Sequence, residues 1–138
     1  MAKVRKAKFD LDQNEVKEYL QFDKLVEGMF YVAGRLFNLE FVPVSNVPVF
    51  HPDVKVWEVK DKTSRKHVGL FYFDPFARQG KRSGAWMNAY RSQERMDKEI
   101  TTIVSNNSNY IKGKAGEPTL ISWDDAKTVF HEFGHALH

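Results

Sequence analysis

Phe130-His131-Glu132-Phe133-Gly134-His135-Ala136-Leu137-His138 closes the chain and contains the pattern H-E-x-x-H. His131 and His135 stand four positions apart, and on a helix such a pair lies on one face, about 6 Å apart along the axis. Two imidazoles so placed can close on one Zn²⁺ at Zn–N distances of roughly 2.0–2.1 Å. Glu132, one residue further round, is placed to act as general base on the water of such a site instead of ligating the metal. A catalytic zinc centre needs a third protein ligand, its fourth position being left for water. His138 falls on the same helical face, but it lies about 10.5 Å along the axis from His131 at 1.5 Å per residue. One ion cannot bridge that span on a straight helix, so His138 is not the third ligand.

Working outward, Ser122 followed by Asp125 reads as a capping-box start, and Asp124 and Asp125 would complement the helix dipole in the first turn. Ala126, Val129, Phe130, Phe133 and Leu137 recur at helical spacing. The pattern predicts a helix from Trp123 to the C-terminus. Gly134 inside it costs about 1 kcal/mol relative to Ala, which suggests that another backbone approaches there.

Upstream, a helical pattern runs from Gln13 to about Asn38, with Val16, Tyr19, Leu20, Leu25, Val26, Met29, Phe30, Ala33, Leu36 and Phe37 as its apolar stripe. A break is expected near Phe22-Asp23, with Asp23 capping the second part. Residues 1–12 read as extended or irregular, with Phe9 and Leu11 as docking points. Phe41 to Val49 is strand-like but carries Pro43 and Pro48, so its strand should be short or at an edge. Val54–Val59 alternates as a half-buried strand, 61–65 has turn chemistry, and Val68–Phe73 completes a hairpin that Asp74-Pro75 should end. Ile100–Ser105 is a further strand candidate, followed by a polar connection through 106–118. Helix, then strands, then helix indicates an α+β fold.

Ser83-Gly84-Ala85-Trp86 supports two readings. Small side chains on an edge strand would let an extended peptide pair with its main chain; equally, the stretch could be a glycine turn.

With 138 residues, 42% hydrophobic and 28% charged, the chain fits one domain with a sizeable core. No apolar run approaches the ~20 residues of a membrane helix, and no signal-peptide pattern appears, so no membrane partner and a cytoplasmic location are expected. The absence of cysteine removes disulfides and thiolate zinc sites. A net charge of +3 is spread over the sequence and matches no recognisable nucleic-acid module.

The last nine residues resemble the zinc helix of the thimet-oligopeptidase family of metallopeptidases, and within it most nearly that of the bacterial peptidyl-dipeptidases. His51-Pro-Asp-Val-Lys-Val-Trp-Glu58, Asp74-Pro-Phe-Ala-Arg78, Ser83-Gly-Ala-Trp-Met87 and Ala115-Gly-Glu-Pro118 leading to Trp123-Asp-Asp125 carry the likeness through most of the chain. The resemblance implies zinc-dependent cleavage of short peptides in a deep, largely helical channel, with release of C-terminal dipeptides in the peptidyl-dipeptidases. It makes His131 and His135 zinc ligands, Glu132 the general base, and Ser83, Gly84, Ala85 and Trp86 the edge strand that pairs with substrate. In the family the third ligand is a glutamate well downstream, and oxyanion-stabilising tyrosine and histidine groups lie further on.

The expectation is therefore that residues 1–138 form part of a zincin-like catalytic domain, truncated at both ends. On its own such a piece should be inactive, and its uncovered core surface should favour self-association. The alternative is a catalytically dead structural module.

Overall fold

The computed structural model describes residues 12–138; the expectation for Phe9 and Leu11 lies outside them. Helix α1 spans Gln13–Glu18 and helix α2 spans Phe22–Phe37. The expected break between them is present, but it falls at 19–21, not at Phe22-Asp23. There the chain runs beside the segment leading into the last helix: the Phe22 N–H donates to Thr119 O at 2.8 Å and the Ile121 N–H to Leu20 O at 3.1 Å. Those two bonds occupy main-chain groups that a continuous helix would have used internally. Gln21 is the N-cap and Asp23 lies in the first turn, where its charge still complements the helix dipole.

Asn38 closes α2 at φ 56°, a left-handed conformation that Asn tolerates. Five strands follow: β1 Leu39–Val44, β2 Lys55–Asp61, β3 His67–Phe76, β4 Trp86–Arg91 and β5 Thr102–Tyr110. They form one sheet in the order β1-β2-β3-β5-β4, antiparallel except where β3 meets β5. The strand with Pro43 is indeed at an edge, where the missing N–H costs least. The β2–β3 hairpin also holds.

Two strand limits differ from expectation. Asp74-Pro75 does not end β3, because a register shift between Asp74 and Phe76 takes up the proline and lets pairing resume with Tyr110. β5 starts two residues later than expected and runs on to Tyr110, so Asn106–Asn109 is central strand and not a connection. Ser105, Asn106, Asn107 and Ser108 are buried there, with their main chain between β3 on one side and β4 on the other.

Helix α3, Trp123–Leu137, packs with α2 on one face of the sheet. The core between them joins Phe22, Val26, Met29 and Ala33 of α2 to Phe71 and Phe73 of β3 and to Ala126, Val129 and Phe133 of α3. Phe133 sits among aromatic rings, 5.3 Å from Phe71, 5.7 Å from Phe41 and 5.9 Å from Phe30 between centroids. The predicted α2 stripe is only partly core: Leu36 and Phe37 are 70% and 57% exposed, since the sheet reaches only one side of the helix end. The architecture is α+β, as the element order indicates.

Candidate metal and peptide-binding site

Helix α3 begins where its sequence predicts. Asp125 N–H donates to Ser122 Oγ at 3.1 Å, and Ser122 N–H donates to Asp125 Oδ2 at 3.1 Å, a complete capping box. With its start fixed by that box and by the contact of 119–121 with 20–22, the helix has little freedom to rotate. Ala126, Val129 and Phe133 point into the core, which leaves His131 and His135 exposed on the opposite side. Glu132 lies on the flank between, half-buried. Phe130, expected in the stripe, is 39% exposed.

The structure brings the two histidines together. Their Nε2 atoms are 3.1 Å apart and their ring planes stand at 89°. Two nitrogens bound to one tetrahedral zinc at roughly 2.0–2.1 Å would be about 3.3 Å apart, so this pair suits two adjacent positions on such an ion. Among the described residues no group of three or more His, Cys, Asp or Glu side chains converges. The described residues therefore bring two nitrogens to one point on the helix face and no third side chain of these types beside them. His138 is the C-cap, its N–H donating to Gly134 O at 3.2 Å.

Gly134 does not serve a close approach among the described residues. A Cβ added there would meet nothing within 4 Å, contrary to the sequence expectation.

The Ser83–Trp86 segment lies at the entrance to β4, whose only ladder partner among the described residues is β5. Its extended strand begins at Trp86; Ser83 and Gly84 form a bend, with Gly84 at φ 88°. The segment is thus a glycine turn that runs into an edge strand. Helix α3 packs against β4 and β5. A groove of about 290 Å³ between them has Met87, Ala89 and Val104 on one wall and Phe133, His135 and His138 on the other.

Two further buried groups flank the elements that carry these residues. Tyr110, at the end of β5, is buried, and its hydroxyl donates to Asp125 O at 3.4 Å. Burial pushes its phenol pKa up, and the carboxylates of Asp125 and Glu132 add to the rise. Lys81 is buried against Asp74, with Nζ 3.1 Å from Asp74 Oδ1 and donating to the carbonyls of Asp74 and Phe76, both at 2.8 Å. Desolvation lowers its pKa, an effect that Asp74 opposes. Arg78 Nη1 reaches the same Asp74 oxygen at 2.7 Å. In the sequence, Asp74 and Arg78 stood out only as the ends of the Asp74-Pro-Phe-Ala-Arg78 stretch, and Lys81 carried no signal of its own.

The model of peptidase family M3 matches residues 1–138. Dipeptidyl carboxypeptidase of Escherichia coli K12 is 46% identical over 136 residues, which is 98% of this chain and 20% of that protein. Organellar oligopeptidase A of Arabidopsis thaliana is 34% identical over 98% of the chain and 18% of its own length. Oligopeptidase A of E. coli K12 is 33% identical over 94% of the chain and 19% of its own length. The chain thus spans about a fifth of the length of these curated relatives.

Proposed function

Since the chain belongs to peptidase family M3, we propose that it carries two zinc ligands, the general base and the peptide-binding edge of a zinc-dependent peptidase acting on short peptides. The observation that carries this reading is the His131–His135 pair, whose 3.1 Å nitrogen separation suits one ion. It lies on a helix that packs against an edge strand with no second ladder partner among the described residues. Residues 1–138 are read as part of a zincin-like domain, with the third ligand, a glutamate, supplied by sequence outside them.

Zinc bound by His131 and His135 would supply Lewis acidity, polarising a carbonyl and acidifying a water. Glu132, on the flank of the same turn, takes the proton of the attacking water on its carboxylate and returns it to the leaving amine. The free edge of β4, entered through Ser83, Gly84, Ala85 and Trp86, offers main-chain N–H and C=O groups to an extended peptide. Such pairing is indifferent to most side chains and suits an enzyme for mixed short peptides. Release of C-terminal dipeptides is the reading favoured by the relative named dipeptidyl carboxypeptidase.

The test is Glu132→Gln in the intact gene product containing this chain. Loss of peptidase activity by roughly a hundredfold or more, with zinc content retained, is expected from removing a general base. Undiminished activity in that variant would overturn the assignment of the base. Undiminished activity after full zinc removal would overturn the metallopeptidase reading.

A further inference from the structure

The segment proposed to meet the peptide has little regular structure of its own, yet its carbonyls are held from β5. Asn109 Nδ2 donates to Arg82 O at 2.8 Å and to Gly84 O at 2.7 Å. Asn107 Nδ2, two residues back on the same face of β5, donates to Trp86 O at 3.3 Å. Three alternate carbonyls, at 82, 84 and 86, are thus drawn onto one neighbouring strand by side chains. The ladder itself begins only at Trp86, paired with Asn107. The other end of the segment is tied by Lys81, which is buried on Asp74 and on the Asp74 and Phe76 carbonyls.

We infer that Asn109 is a positioning residue for peptide binding: its amide extends the β4–β5 pairing by side-chain donation through the bend at Gly84, and so orients the segment that the peptide meets. This rests on the reading of β4 as the peptide-binding edge. An asparagine suits the task because one NH₂ group carries two donors, and here both are spent on carbonyls two residues apart. With Arg82, Gly84 and Trp86 turned onto β5, the intervening Ser83 and Ala85 are left to present main-chain groups to a second strand. Gly84 takes the positive φ that the bend requires. Without the clamp, residues 83–85 would have to be ordered by the peptide itself, and that ordering would be subtracted from its affinity.

The experiment compares Asn109→Asp and Asn109→Ala with wild type in the intact gene product. Asp keeps the shape and removes the donors; Ala removes them without adding charge. Two lost hydrogen bonds correspond to a rise in peptide KM of roughly ten- to hundredfold. The change in kcat should be smaller, and zinc content and inhibition by 1,10-phenanthroline should be unchanged. Amide exchange at 83–86 should accelerate in both variants, a readout that requires no activity. Unchanged exchange at 83–86, or a KM within twofold of wild type in either folded variant, overturns the inference. Loss of zinc together with a parallel fall in kcat would also overturn it, by marking a general structural role. Failure of the underlying functional reading is distinct, because it appears as a wild-type protein without zinc-dependent peptidase activity.

Discussion

The Nε2 atoms of His131 and His135 face each other across one helical turn at 3.1 Å, with the imidazole planes at 89°. Both rings are exposed, so neither is held by the core: helix periodicity brings them together, and a hydrogen bond between the two Nε2 atoms sets how they face each other. Zinc affinity of the isolated chain should be weak and should need both rings. His131→Ala or His135→Ala is expected to abolish it, and His138→Ala to change it little, as seen by equilibrium dialysis with elemental analysis. An equal loss in His138→Ala would show that the terminal turn bends enough to defeat the axial-distance argument.

The capping box gives a second, energetic prediction. Ser122→Ala removes the acceptor for Asp125 N–H and should cost about 1 kcal/mol of stability. Urea denaturation followed by circular dichroism reads this directly. Because α3 carries both histidines, zinc affinity should fall in the same variant, and a stability loss with unchanged affinity would separate the cap from the site.

The last helix was legible because every local signal agreed: cap, acidic first turn and apolar stripe all point to one start and one face. β5 was not. Strand signals rest on alternating apolar residues, whereas Ser105–Ser108 is polar throughout and buried on both faces. What makes those residues strand is tertiary, the covering by β3 and β4. Asn109 was hidden for the same reason: in sequence it is one polar residue in a polar run, and its two carbonyl partners lie more than twenty positions away. The histidine pair could be read because its members share one helical turn. The edge strand was read from the small side chains of Ser83–Ala85 as well as from resemblance, and its regular pairing begins only at Trp86, beyond the bend at Gly84.

Asp53 should govern part of the acid sensitivity. The hydrogen bond from Lys112 holds its carboxyl below the ordinary value of 3.8, with desolvation opposing and Lys112, His51 and Arg78 adding favourable charge. A carboxylate lowered in the folded state binds protons more readily when unfolded. Its contribution is therefore complete above the unfolded value of about 4 and disappears as pH falls through the folded one. Asp53→Asn should flatten the stability curve below about pH 4, measured by urea unfolding between neutral and acid pH. The two curves should converge as acid removes the wild-type carboxylate. Parallel curves throughout would mean that the pair with Lys112 contributes nothing in solution, as exposed pairs often do.

The outer side of α2 gives a prediction about association. Tyr31, Leu36 and Phe37 are exposed there, as are Trp123 and Phe130 on α3. Fully burying one such side chain is worth about 1.5–3 kcal/mol, a large fraction of a marginal folding free energy. Residues 1–138 alone should therefore self-associate, with an average mass that rises with concentration in sedimentation equilibrium. Leu36→Lys with Phe37→Lys should reduce the effect. A strictly monomeric species over the whole series would count against it.

Gly134 offers a sign test. A side chain added there meets open space among the described residues, so Gly134→Ala in this chain should stabilise it by about 1 kcal/mol through helix propensity alone. Gly69 is the opposite case, because its added Cβ would stand 2.7 Å from both Thr102 O and Thr102 Cγ2 across the parallel β3–β5 pair. Gly69→Ala should accordingly cost about 1–3 kcal/mol through overpacking. Urea midpoints of the two variants are expected to move in opposite directions. Repeating Gly134→Ala in the intact gene product then asks whether a further element approaches the gap between the histidines. If the stabilisation persists there, the glycine serves no close contact in the assembled site. A reversal to destabilisation, accompanied by loss of zinc, would locate such an element at Gly134 and restore the packing role that the sequence alone suggested.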